Sequence, residues 1–214
     1  MAIVFSSFFN KLKGKIGNLI LYEARGQVRM RANSMSNTIP QTPAQQLQQA
    51  RLRTAVAFYR ANNESTLPHI WRAAARDKIM SGYNLFLRCN MSVFDTSFRI
   101  NDYSQLQISR GRLEFPQSLR LENYGYGKVY LKWKNILPPT SLHMSDRLHA
   151  VWLDGKGNFS LHVLSFPEVQ RRDEEAVLPL PEAGSKEVHL YVYFSNKEEN
   201  QFSPNRYFYL PAIE

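Results

Sequence analysis

Three groups of side chains have types and spacings that could do chemistry: a glycine-lysine pair near the start, three histidines in the second half, and a series of arginines through the first. Gly14-Lys15 lies in "KLKGKIGN". A phosphate-cradling Walker loop needs Gly-x-x-x-x-Gly-Lys-Ser/Thr, so that backbone amides meet the phosphates and a hydroxyl meets magnesium. Phe9 stands where the first glycine belongs and Ile16 follows the lysine, so the nucleotide reading fails. His149, His162 and His189 fall on three segments of alternating pattern. If Trp152, Leu161 and Leu190 point inward, the three imidazoles share the outward face and could converge on zinc; the competing reading is ordinary exposed strand residues. There is no Gly-x-Ser-x-Gly elbow and no His-Glu-x-x-His. Asp173-Glu174-Glu175 and Glu198-Glu199 sit in apparent loops, where charge runs are solvated surface. The expectation is a non-enzymatic chain with no cofactor.

The arginines are the stronger signal. Arg25, Arg29, Arg31, Arg53 and Arg60 form the candidate partner-binding set, followed by Arg72, Arg76, Lys78 and Arg88 and interleaved with Tyr59 and Trp71. Such a set suits phosphates of nucleic acid. It suits protein carboxylates equally, because the guanidinium fork bonds them bidentately. No helix-turn-helix, ribonucleoprotein or zinc-finger pattern accompanies it. The basicity belongs to one half of the chain: residues 1–100 carry 14 Lys or Arg against 4 Asp or Glu, and residues 101–214 carry 13 against 14.

The elements that position these groups follow from periodicity. Two apolar runs, 17–22 and 27–31, flank Glu23-Ala24-Arg25-Gly26, where glycine can take the positive φ of a tight turn. That predicts a hairpin with Val28 and Met30 on one face and Gln27, Arg29 and Arg31 on the other, the arginine face turned to an acidic surface of another subunit. A helix is predicted over 43–61, with Thr42 as cap and Pro43 in the first turn. Its Leu47, Ala50, Thr54 and Phe58 form one apolar stripe and Leu52, Val56 and Tyr59 a second. Further helices are predicted over 68–79 and 82–92, broken at Ser81-Gly82.

Beyond residue 101 the period changes to two. Strands are expected at 105–109, 128–134, 147–153, 159–164, 176–180, 187–194 and 205–210, with a turn at 154–158. "KVYLKWK" and "EVHLYVYF" read as half-buried antiparallel strands, and seven short strands in about 110 residues indicate a β-sandwich. Trp133 in the second strand and Tyr191 in the sixth resemble the core pattern of fibronectin type III domains. The expected fold is an α+β domain over 1–100, hairpin plus about three helices, then an all-β immunoglobulin/fibronectin type III-like sandwich over 101–214.

One cysteine, Cys89, excludes an intrachain disulfide framework. It reads as a small buried residue on a helix. In "MAIVFSSFF" the lysines follow the apolar run, unlike a secretory signal, and no run approaches the roughly 20 apolar residues of a membrane span. The expectation is a soluble protein without a membrane partner.

The ordered series "GKIGNLILYEARGQVRMR", "TPAQQLQQARLRTAVAFYR", "SGYNLFLRCN", "DYSQLQISRGRL", "VYLKWKN", "DRLHAVWLDGKG" and "VHLYVYFSN" resembles a family of uncharacterised proteins of Bacteroidales and their phages over nearly the full length. In "SMSNTIPQTPAQQ" the chain departs from that pattern, which has a more direct Asn-Pro-x-Thr. The resemblance implies a virion structural protein made in the bacterial cytoplasm: a head-to-tail connector or tail component assembled as a homo-oligomeric ring with other virion proteins. A nucleic-acid-binding module is the second expectation.

Overall fold

The computed structural model describes residues 2–3, 13–24, 26–33, 41–116, 118–135, 138, 141–155, 159–180, 182–183 and 185–213. The expected site residue Arg25, part of the 154–158 turn and the loop at 34–40 lie outside the described residues. Helices and several antiparallel sheets make up the chain, which divides into two compact units at Pro43/Ala44.

The first unit is one four-stranded sheet. Strands β1 (Ala2–Ile3), β2 (Gly14–Ile16), β3 (Leu19–Ala24) and β4 (Gln27–Ala32) lie in the order β1-β4-β3-β2. The expected hairpin is β3-β4, closing at Ala24↔Gln27, with Gly26 at φ +71°. That angle lies in the left-handed region, where only glycine is unstrained. Gly14-Lys15, read above as outside the hairpin, pairs with Leu21 and Ile20 and extends the sheet. Leu21 and Val28 are buried, as the alternation predicts for Val28, while Met30 is half-buried.

The second unit begins with α1 (Pro43–Ala61), α2 (Leu67–Ala74) and α3 (Gly82–Asn90). α1 has the predicted bounds, but only Thr54, Ala55, Phe58 and Tyr59 of it are buried. Leu47 and Leu52, assigned to the two apolar stripes, are 56% and 37% exposed. α2 ends at Ala74, short of the predicted 79, and the chain turns there so that α3 can approach closely. A Cβ on Gly82 would sit 2.5 Å from the Trp71 carbonyl carbon, nearer than any side chain tolerates. Ser81 starts α3 by accepting the Asn84 N–H on its hydroxyl at 3.1 Å.

Seven strands follow: β5 (Arg120–Gly125), β6 (Lys128–Lys132), β7 (Arg147–Asp154), β8 (His162–Val163), β9 (Glu175–Pro179), β10 (Val188–Ser195) and β11 (Arg206–Leu210). They form a β-sandwich of two antiparallel sheets, ordered β11-β10-β7-β8 and β5-β6-β9. The first strand is at 120–125, not at 105–109. Leu106 and Ile108 are buried, so the alternation there is real. Its backbone, however, bonds asparagine side chains instead of a ladder: Gln107 N–H donates to Asn90 Oδ1 at 2.8 Å and Ile108 N–H to Asn205 Oδ1 at 2.9 Å.

Every residue of β10 is buried, against the half-buried expectation. Leu190, Val192 and Phe194 meet Val129, Leu131 and Trp133 of the facing sheet. Tyr191 and Tyr193, on the other side, share a core with Phe58, Trp71, Phe86 and Phe94 of the helical region. The helices therefore cover the outer face of the four-stranded sheet, and residues expected to belong to two domains divided at 100 share one core. Asn62, at the end of α1, joins the layers: its Nδ2 donates to the carbonyls of Phe58 at 2.8 Å and Phe159 at 2.7 Å, and its Oδ1 accepts the Leu161 N–H at 2.7 Å.

Candidate partner-binding surface

Two of the described candidate arginines, Arg29 and Arg31, lie on β4 in the first unit; Arg53 and Arg60 lie on α1 in the second. Arg31, Arg53 and Arg60 are exposed. Arg29 is only half-buried and its Nη2 donates to Gln27 Oε1 at 3.4 Å, so the arginine side of the hairpin is not wholly a solvent side. On α1, Arg53 and Arg60 are seven residues apart, two turns, and make no ion pair among the described residues. Beside them the first part of the helix presents Leu47 and Leu52 to solvent. Leucine and guanidinium groups exposed around this end of the helix suit protein surfaces carrying apolar area and carboxylates.

A second basic feature was not legible in the charge count of the first half, because it draws on both halves. Arg76 and Lys78, in the turn after α2, and Arg110 and Arg112, in the segment before β5, line one cleft with Asn200 and Gln201. Arg112 pairs with Asp77 at 3.2 Å. Proximity of residues 76 and 110 follows from packing of the 102–113 segment on α3, which no local pattern encodes.

The three histidines do not converge. His162 is opposite Trp152 in the β7-β8 register and stacks on its indole at 4.3 Å, placing it on the sandwich-core side. It is Leu161 that packs toward the helices. His149 pairs with Tyr193 and His189 with Leu153, four positions apart along both strands, about 13 Å at strand rise. His149 Nε2 lies 2.7 Å from Ser195 Oγ, the spacing of a base and nucleophile. Ser195 is wholly buried, so no substrate can reach its hydroxyl, and the bond instead holds the ring over Tyr193. His189 is stacked on Tyr103 with centroids 3.6 Å apart and shares a hydrogen bond with Tyr207 Oη at 2.8 Å. Burial lowers the pKa of both rings, favouring neutral imidazole. Among the described residues no three His, Cys, Asp or Glu gather as a metal site.

One further charged pair is internal. Asp146 and Arg171, both 3% exposed in their side chains, meet at 3.4 Å, with the guanidinium 5.1 Å from the Phe194 ring centre and bonded to the Glu114 carbonyl. Burial pushes the Asp146 carboxyl up, opposed by Arg171, and pushes the Arg171 guanidinium down. The Arg171 carbonyl accepts Trp133 Nε1–H at 2.7 Å, so the pair fixes the tryptophan expected in the sandwich core.

No protein-family model matches the chain, and no curated protein matches it. Several solved structures resemble part of it. The FN1-FN3 domains of chicken CNTN1 are 10% identical at a TM-score of 0.36, covering 49% of this chain and 33% of that one. A computationally redesigned β-sandwich protein is 14% identical at 0.32, covering 48% of this chain and 100% of that one. The twitchin kinase region of C. elegans is 20% identical at 0.29, covering 46% of this chain and 17% of that one. No helix among the described residues is long and apolar enough to cross a membrane.

Proposed function

We propose that the chain is a non-enzymatic structural protein of a phage virion, a head-to-tail connector or tail component that assembles as a ring through protein-protein contacts. The observation that carries this reading is α1: its second half is anchored in the core, while its first half leaves Leu47 and Leu52 open near Arg53, which makes no ion pair among the described residues. An anchored helix with an uncovered apolar and cationic end supports a role in docking on a neighbour. The family resemblance supports the virion setting. The fibronectin type III-like form of the sandwich agrees with an accessory domain displayed on such a ring.

Mass measurement and negative-stain images of the purified protein test it. Rings are expected, and Leu47→Glu with Arg53→Glu should yield folded monomers. A strictly monomeric wild-type chain that is absent from particles would overturn the reading. A nucleic-acid role is favoured by the exposed Arg53 and Arg60, which make no ion pair among the described residues; it predicts binding that weakens steeply with salt, and no binding of duplex or single strand at low salt ends it.

A further inference from the structure

The cleft between the turn after α2 and the segment before β5 has a volume of about 460 Å³. Among the described residues four cations line it, Arg76, Lys78, Arg110 and Arg112, against the carboxylate of Asp77, which pairs with Arg112; the Lys78 ammonium itself donates to the Ala74 carbonyl at 3.3 Å. Arg110 makes neutral contacts: its Nη1 donates to Gln107 Oε1 at 3.0 Å and to Cys89 Sγ at 3.2 Å, neither of which lines the cleft. Its charge has no carboxylate partner among the described residues. Arg76 is exposed and its side chain makes no ion pair or hydrogen bond among the described residues. At the cleft floor Gly111 lies so close to Phe202 that a Cβ would be 2.0 Å from the Phe202 carbonyl oxygen.

We propose that this cleft binds a phosphate group. A phosphate monoester carries about −1.5 to −2 charges near neutral pH and three acceptor oxygens, which answers an excess of cations better than the single charge of a carboxylate. Arginine forks bond it bidentately. Among the described residues, Phe202 is the one aromatic residue lining the cleft. It is 3% exposed and packed edge-on against His69 and Tyr193. No ring face is open for a base to stack on, so recognition is confined to the phosphate. The source is either a free phosphate compound or a nucleic-acid backbone, and the inference is independent of the assembly role.

Calorimetric titration of the full chain at low ionic strength, with pyrophosphate and separately with a short oligothymidylate, tests it. Pyrophosphate is expected to bind, with affinity reduced at least about tenfold, roughly 1.4 kcal/mol, in the Arg76→Gln/Arg110→Gln chain. Arg172→Gln, an exposed arginine that does not line the cleft, should bind like wild type. Arg76→Gln alone removes no contact within the fold and should give an intermediate loss with an unchanged melting curve. Oligothymidylate competing with pyrophosphate identifies the nucleic-acid source; pyrophosphate binding alone identifies the free one. No binding of either ligand to wild type overturns the proposal, as does binding undiminished in the double variant. Displacement of pyrophosphate by oligoglutamate at equal affinity also overturns it and reassigns the cleft to acidic protein.

Discussion

At the scale of single residues, the molecule's buried charges and rings set its response to mutation and to pH. Removing one partner of a buried ion pair leaves the other charge uncompensated, a loss of roughly 3–5 kcal/mol. Arg171→Met should therefore lower the urea midpoint sharply, and adding Asp146→Leu should recover most of the loss, because an apolar pair of similar volume needs no compensation. A double variant no more stable than the single one would mean that the Glu114 carbonyl contact, not the ion pair, is the main term. His149 and His189 predict a slope with pH. Their folded pKa values lie below the ordinary histidine value near 6.5, so the unfolded chain binds protons first as pH falls. Their contribution is complete above about pH 6.5 and is lost progressively below it. Glu187, 3.7 Å from His189 Nε2, partly offsets this at His189. Stability measured from pH 7.5 to 5.5 should fall, and the fall should be shallower in His149→Gln and His189→Gln; an equal slope in both variants would refute the assignment.

At the scale of elements, close approach and two-sided burial are what local pattern did not convey. Gly82 permits α3 to lie on the backbone of α2 at Trp71. Gly82→Ala should destabilise by about 1–3 kcal/mol, as overpacking does, although alanine is the better helix former; a stabilised variant, read by thermal unfolding, would show that the helices can separate freely. The bounds of α1, the β3-β4 hairpin and six of the seven sandwich strands were legible because capping, glycine turns and period-two alternation are local signals. β10 was misjudged because tyrosine at alternate positions looks like a wet face. Here the Tyr191 hydroxyl donates to the Tyr103 carbonyl at 2.8 Å, and burial raises the Tyr193 hydroxyl to about 12. Tyrosine carries apolar bulk with one polar atom and serves a core once that atom has a partner. The 105–109 segment shows the converse, alternation without a ladder, since two asparagine amides supply the backbone's partners. Of the candidate site, the exposed arginines of α1 were readable from composition. The 76–110 cleft was not, because it depends on a long-range contact.

At the scale of the whole molecule, the question is where the chain can be cut. Charge and period both change near residue 100, and that division is natural on the sequence. The contacts divide the chain at Pro43/Ala44 instead, and the reason lies in the four-stranded sheet, whose Val151, Leu153, Tyr191 and Tyr193 are buried together with Phe58, Trp71 and Phe86. Each fully buried large side chain contributes about 1.5–3 kcal/mol, while a domain's net stability is only about 5–15 kcal/mol. Stripping the helices from the sheet would expose several such residues at once and exceed that margin. A fragment of residues 44–214 should therefore be soluble and unfold in one cooperative transition. A fragment of residues 101–214 should aggregate or melt without cooperativity, even though it contains both sheets of the sandwich. Adding Asn62→Ala to the 44–214 fragment should weaken it by about 1–3 kcal/mol, because the Phe159 carbonyl and Leu161 N–H would lose their partner across the layers. Were 101–214 to fold on its own with sharp thermal unfolding, the helical layer would be an attachment to the sandwich and not part of its core.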